Sequence, residues 1–182
     1  MTNPTRLTFA GIAILAAILF QSCAGIKPGS TRSATNLYTT FFVGDDGLQY
    51  FIKPLEFKND KGEELIMDVT FRYKDEVTGD ADFRFTYIGQ SMIKKVNQLQ
   101  FENKVGAWTA EEVELVFVER VNKNYQSRQS AKLGLSETQT LFSSHEWVVK
   151  MTAEGGEVHE FRPKRKTQKA INRLYSHIFE ML

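Results

Sequence analysis

Three histidines, His145, His159 and His177, are the side chains that could bind zinc or transfer a proton near neutral pH. His159 and Glu160 are neighbours on a predicted strand, so they point to opposite faces and cannot both bind one ion. We expect His145 to face His159 across the last predicted hairpin, which supplies two ligands where zinc sites use three or four. The sequence therefore predicts no metal site, and histidines that are half-buried or at the surface.

Nucleophilic catalysis has one candidate group, Ser143 and Ser144 beside His145. Neighbours in sequence do not have the geometry that a nucleophile and its base require, and no segment matches the G-x-S-x-G pattern of a nucleophile elbow. Acidic pairs such as Glu111 and Glu112 have the composition of a surface or a helix start. We therefore assign no catalytic residue and no cofactor, and we favour a non-catalytic protein over an enzyme.

An acidic cluster surrounds one predicted turn and consists of Asp75, Glu76, Asp80 and Asp82. Oxygen ligands on a loop suit calcium, but this spacing is not that of an EF-hand loop. A well-solvated turn is the favoured interpretation.

Five cations occur at the start of the last predicted helix: Lys164, Arg165, Lys166, Lys169 and Arg173. Cations at a helix N-terminus oppose the helix dipole, and the free N–H groups there attract anions. The cluster is therefore a possible anion-binding site for a phosphate, a sulfate or a lipid headgroup. The alternative is the solvated face of an amphipathic helix.

The only cysteine, Cys23, follows an uncharged run of fourteen residues, Leu7 to Phe20. At a rise of about 1.5 Å per residue such a run spans roughly 21 Å as a helix, which is short for a bilayer core of roughly 30 Å. The N-terminus has the arrangement of a secretory signal peptide: a short basic segment with Arg6, then an apolar run, then small residues.

The segment Phe20-Gln21-Ser22-Cys23 resembles the lipobox of bacterial lipoproteins, in a loose form similar to that of Bacteroidetes. This resemblance implies cleavage before Cys23 and acylation of its thiol with chains such as palmitate. Ala24 stands where some lipoproteins carry an aspartate, and the following residues lack the acidic cluster of surface-exposed lipoproteins. The resemblance therefore implies a cell-envelope protein at the outer membrane, on its periplasmic face.

The composition predicts three segments. Residues 1–22 are a signal peptide, residues 23–36 a Gly-, Ser- and Thr-rich tether behind the lipidated cysteine, and residues 37–182 one globular domain. Without Arg6 the basic side chains equal the 22 acidic ones, so no overall charge favours nucleic acid as a partner. With no second cysteine the domain has no disulfide.

A period of two dominates the domain and predicts strands. Strands at 37–43, 48–57, 65–73 and 81–87 are joined by turn-forming segments, and Pro54 indicates an edge or a bulge in the second of them. Residues 96–101 and 113–118 are further strand candidates. Thr109 and Glu112 have the spacing of a helix capping box, so a helix is an alternative for this segment. We favour a central strand because 113–118 is apolar on both faces.

A last hairpin is predicted at 146–152 and 157–162, followed by an amphipathic helix at about 165–181. The predicted fold class is α+β: a mostly antiparallel β-sheet built as a meander of hairpins, with the C-terminal helix packed on it. The expected function is that of a membrane-anchored, non-catalytic binding or assembly subunit with a possible envelope protein partner. A binding module for an anionic glycan or lipid is the alternative, and a hydrolase is the third.

Overall fold

The computed structural model describes residues 36–182, and Cys23, the predicted signal peptide and all of the predicted tether except Asn36 lie outside them. The strands are β1 (Tyr38–Phe42), β2 (Leu48–Lys58), β3 (Glu64–Tyr73), β4 (Asp80–Gly89), β5 (Val96–Glu102), β6 (Ala107–Val121), β7 (Asn124–Gly134), β8 (Val148–Ala153) and β9 (Val158–Pro163). The helices are α1 (Leu135–Phe142) and α2 (Arg165–Leu174), and α2 continues as a π-helical turn, Tyr175–Phe179.

All strand pairs are antiparallel, and their order is β1-β2-β3-β4-β7-β6-β5-β8-β9. The sheet closes on itself because Phe57 and Lys58 of β2 also pair with Pro163 and Arg162 of β9. Eight strands form this ring, and β1 lies outside it on β2. Counted around the ring, β2 and β6 are opposite each other.

The core lies inside the ring because alternate side chains of each strand point inward. Phe83 and Phe85 of β4, Phe101 of β5 and Phe161 of β9 are fully buried. Trp147 donates its indole N–H to the carbonyls of Leu141 and Ser144 at 2.9 and 2.7 Å. The polar atom of this large buried ring is therefore satisfied.

The C-terminal helix packs through its apolar stripe, in which Ala170, Ile171 and Leu174 are buried. Phe179 in the π-helical turn stacks on Phe142 of α1, with ring centroids 4.2 Å apart, and lies 5.4 Å from Phe71 of β3. Since α1 follows β7 and α2 follows β9, both helices begin at the same end of the ring. The opposite end carries the β2–β3 and β8–β9 turns.

The predicted fold class is confirmed: the domain is mostly antiparallel sheet with a C-terminal helix packed against it. The β3–β4 and β8–β9 hairpins form as expected, and the β2–β3 register shifts between Ile52 and Leu55, around Pro54. Residues 113–118 belong to a strand, β6, and not to a helix.

Three sequence expectations are wrong. The segment 113–118 is not a central, doubly buried strand, because Leu115, Val116 and Phe117 are all exposed. His159 is buried, and not half-buried or at the surface. His145 precedes β8 and does not face His159, which is paired with Met151. Strand β7 and helix α1 were not predicted.

Candidate functional site

A groove with a volume of about 360 Å³ runs between β2 and the α2 helix. We call it the basic groove, because four exposed cations line it: Lys53, Lys166, Lys169 and Arg173. Its floor is apolar and includes Leu55 and Ala170, and one end is formed by Asn36 and Leu37. The described domain therefore begins at this groove.

The four groove cations form no ion pair within residues 36–182. Their spacing along α2 explains why three of them meet: Lys166, Lys169 and Arg173 are three and four residues apart and share one helix face. Lys53 faces them from β2, and no acidic residue occurs in the first turn of α2. Glu56 also lines the groove, but its carboxylate binds Lys164, so the groove remains a mainly positive surface.

The other two predicted cations have different environments. Lys164 precedes α2 and binds two carboxylates, Glu56 and Glu64, each at 3.0 Å. The hydrogen bonds to Glu64 and Glu56 raise the pKa of the Lys164 ammonium above its ordinary value of 10.5. Arg165 is exposed at the first position of α2 but does not line the groove.

An exposed aromatic strip continues from the basic groove along β2 and β1. Phe51 and Lys53 share one face of β2, because side chains two residues apart on a strand point the same way. Phe41 packs edge-on against Phe51 with ring centroids 5.5 Å apart, yet both rings remain more than 40% exposed. Phe42, beside the β1–β2 turn, is 77% exposed but follows Phe41 on β1 and points to the opposite face, so the strip consists of Phe41 and Phe51. Cations and large apolar rings therefore occupy one continuous surface.

The hydrogen bonds of Thr167 fix the α2 helix against β2 and so set the width of the groove. Its hydroxyl accepts a hydrogen bond from the Glu56 N–H at 3.0 Å and donates one to the Glu56 carbonyl at 2.9 Å. Thr167 is buried.

A second polar cluster lies at the opposite end of the ring and centres on Glu63. Its carboxylate accepts hydrogen bonds from the Tyr87 hydroxyl at 2.7 Å and from the Asn59 amide at 2.6 Å, and it lies 2.8 Å from His159 Nδ1. Burial raises the pKa of Glu63, but the hydrogen bonds from His159, Tyr87 and Asn59 outweigh it and leave that pKa below 4.5. Because an ionised carboxylate only accepts, His159 Nδ1 carries a proton and donates it.

The other ring nitrogen of His159, Nε2, is buried and has no hydrogen-bond partner among residues 36–182. The carboxylate of Glu157 lies 3.7 Å from it, too far for a hydrogen bond. Burial, followed by the hydrogen bond to Glu63 and the charge of that group, raises the pKa of the Tyr87 phenol. Cavities of about 500 and 310 Å³ adjoin this cluster, and Ser91 and Glu157 line both.

Neither the acidic turn nor the histidines form a metal site in the part of the chain that the structure describes, which contains no group of three or more suitable ligands. His145 and His177 are half-buried. Within residues 36–182 no helix is long and apolar enough to cross a membrane.

The sequence did not indicate two features of these sites. Lys53 stands alone on a strand, far in sequence from the helix cations that it joins. Glu63 lies in a turn segment, 96 residues before His159. One indication for Lys53 was present in the sequence: the period of two in a strand places its side chain on the same face as that of Phe51.

No family model, curated protein or solved structure matches this chain.

Proposed function

We propose that this protein is a non-catalytic binding subunit of a cell envelope, held on a membrane by lipid on Cys23, whose basic groove and aromatic strip contact an anionic membrane surface. The observation that supports it is the continuity of four cations, which form no ion pair within residues 36–182, with two exposed phenylalanines, Phe41 and Phe51, on one side of the domain. An anionic bilayer complements both parts of that surface.

Electrostatic attraction is the first part of the argument. A Lys or Arg near an anionic membrane surface contributes about 1 kcal/mol of attraction. This attraction decreases with distance from the surface over about one Debye length. The aromatic strip supplies the second part, since exposed apolar rings become favourable when they enter the boundary between headgroups and acyl chains.

The tether supplies the third part. Asn36 is the thirteenth residue after Cys23, and a chain of that length extends to at most about 45 Å. Since Asn36 lines the basic groove, the groove lies close to the point where a lipid anchor would hold the domain.

The first prediction concerns the groove cations. The substitutions Lys166→Ser, Lys169→Ser and Arg173→Ser together remove about 3 kcal/mol of attraction, so binding to anionic vesicles at low salt should weaken about 100-fold. The assay is co-sedimentation of the chain from Ala24 to Leu182 with phosphatidylglycerol vesicles and with phosphatidylcholine vesicles. This chain contains the complete closed sheet and its core.

The matched control replaces three exposed lysines that lie outside the groove, Lys94, Lys95 and Lys123, by serine. Equal losses in both triple variants would mean that only net charge matters, and unchanged binding of the groove variant would contradict the proposal.

An anionic glycan is the second candidate ligand, favoured by Phe41 and Phe51, because aromatic rings also pack against sugar rings. An acidic polysaccharide is added as a competitor in the same assay. Displacement of the protein from phosphatidylglycerol vesicles at low polysaccharide concentration would favour the glycan, and retention on the vesicles favours the lipid.

The second prediction concerns the anchor. Cys23→Ala removes the acceptor of the acyl chains, so the protein should leave the membrane fraction of the cell when the membranes are washed at high salt, which screens the groove cations. Fractionation and immunoblotting measure this, with Cys23→Ser as a second variant without a thiol. Full retention of both variants after the salt wash would contradict lipid anchoring.

A further inference from the structure

One long strand edge of the domain has no partner within the described residues. Strand β6 pairs with β5 only from Ala107 to Ala110, and beyond that point only β7 pairs with it. We call residues 112–121 of β6 the open edge. Its outward backbone N–H and C=O groups are available to another strand.

The open edge carries exposed apolar side chains as well as unpaired backbone groups. Leu115, Val116, Phe117 and Val121 are exposed, Val116 by 56%. Natural proteins usually protect such an edge with lysines, prolines or short strand length. Here the irregularities are register shifts between Glu111 and Glu114 and between Leu115 and Phe117, and a positive φ of 51° at Glu112, which leave the apolar side chains exposed. An exposed apolar surface of this kind is typical of an interaction site.

The register with β7 assigns the side chains of the open edge to faces. Leu115 and Val118 lie opposite Gln129 and Ser127, which are buried, so they share the inner face. Glu114, Phe117 and Glu119 lie opposite Ser130, Arg128 and Gln126 and share the outer face. On that face, carboxylates therefore lie on both sides of an aromatic ring.

These two carboxylates argue against a second copy of this chain as the occupant. The antiparallel register that pairs the apolar side chains sets Leu115 opposite Val118 and Val116 opposite Phe117. The same register sets Glu114 opposite Glu119 twice, and like charges directly opposite each other are destabilising. Neither carboxylate forms an ion pair within the described part of the chain.

We propose that the open edge binds an extended segment of another polypeptide by strand addition. The segment that fits has basic residues opposite Glu114 and Glu119, an aromatic or β-branched residue opposite Phe117, and apolar residues opposite Leu115 and Val118. Main-chain hydrogen bonds supply affinity, and the alternating side chains supply specificity. The edge belongs to β6, across the ring from the basic groove on β2, so both surfaces can be occupied at once.

The test uses labelled peptides and fluorescence anisotropy with the chain from Ala24 to Leu182. The probe Ser-Lys-Val-Tyr-Val-Lys-Ser should bind at least about tenfold more tightly than the same peptide with glutamate in place of lysine. Glu114→Lys combined with Glu119→Lys should reverse this preference. Both carboxylates are exposed, so the double variant keeps the fold. The matched control, Glu76→Lys combined with Glu154→Lys, changes the same charge elsewhere and should leave the preference unchanged.

N-methylation distinguishes strand addition from simple charge attraction. Two probes are N-methylated on every second amide, one on the odd-numbered and the other on the even-numbered residues. Only one of the two therefore lacks the N–H groups that would face β6. One probe should lose binding while the other keeps it. Equal binding of both, an unchanged preference in the double lysine variant, or dimers in sedimentation that Val116→Lys removes would each overturn the proposal. Loss of vesicle binding in the groove variant does not affect this test.

Discussion

Glu63 shows how one side chain can determine the chemistry of two others. Its carboxylate accepts from Tyr87, Asn59 and His159 at the end of the ring away from the helices. The carboxylate fixes the His159 tautomer with the proton on Nδ1 and keeps the Tyr87 phenol protonated. Gly89 makes this arrangement possible, because a Cβ at position 89 would overlap the Tyr87 hydroxyl. No group of the described residues lies within hydrogen-bonding distance of Nε2.

The third prediction is that Glu63→Gln lowers the free energy of unfolding by about 3 kcal/mol at pH 7, because an amide cannot accept from three donors. The folded pKa of Glu63 is lowered, so its contribution is present above the unfolded value of 4.5 and is lost as the pH falls through the folded pKa. The difference between wild type and variant should therefore shrink at pH 3. Urea unfolding at both pH values measures it.

Glu157→Gln is the matched control for Glu63→Gln. Its carboxylate is more than half exposed and pairs with exposed Lys61, so the expected change is below about 1 kcal/mol. A Glu63→Gln difference that stays constant from pH 7 to pH 3 would contradict the assignment of an ionised Glu63.

At the scale of elements, the placement of α2 depends on both apolar and polar contacts. Its stripe buries Ala170, Ile171 and Leu174, and burying a side chain of the size of Ile or Leu contributes about 1.5–3 kcal/mol. These apolar contacts hold the helix on the sheet, but they are non-directional and do not fix its position along β2. The two hydrogen bonds between Thr167 and Glu56 fix its position along β2, and so align Lys166 and Lys169 with Lys53.

The fourth prediction is that Thr167→Val lowers the free energy of unfolding by about 1–3 kcal/mol, because the isosteric side chain leaves the Glu56 N–H without its acceptor. The amide of Glu56 should also exchange faster with deuterium. Thr167→Ser keeps the hydroxyl and should restore slow exchange.

Thr140→Val is the control for a helix threonine whose hydroxyl bonds only within its own helix, to the Ser136 carbonyl. A change of less than about 0.5 kcal/mol is expected there. Equal destabilisation by Thr140→Val and Thr167→Val would show that the contact with Glu56 has no special role.

At the scale of the whole molecule, closure of the sheet places the two proposed binding surfaces. Because β9 pairs with β2, the ring has eight strands, and β6 lies across it from β2. A domain whose basic groove rests on a membrane would therefore direct the open edge away from that membrane. Such an arrangement suits a subunit that holds a second protein near a bilayer.

Most strands and the C-terminal helix could be predicted because the residue pattern within each segment is enough to indicate its structure. Alternating residues on β3, β4, β8 and β9 and the apolar stripe of α2 each follow from the period of one segment. Strand β7 was missed because its inner face carries Ser127 and Gln129, which are polar although buried. Helix α1 was missed because it spans only eight residues, Leu135–Phe142.

The sequence by itself determined every strand except β7, the final helix, the five cations near its start and the resemblance of residues 20–23 to a lipobox. The tertiary structure alone decided which cations remain unpaired: Lys164 is neutralised by Glu56 and Glu64, whereas Lys53 joins Lys166 across the groove. It also decided that β6 is an exposed edge rather than a central strand. The physical reason is that pairing and burial depend on residues distant in sequence, which the period of a single segment does not report.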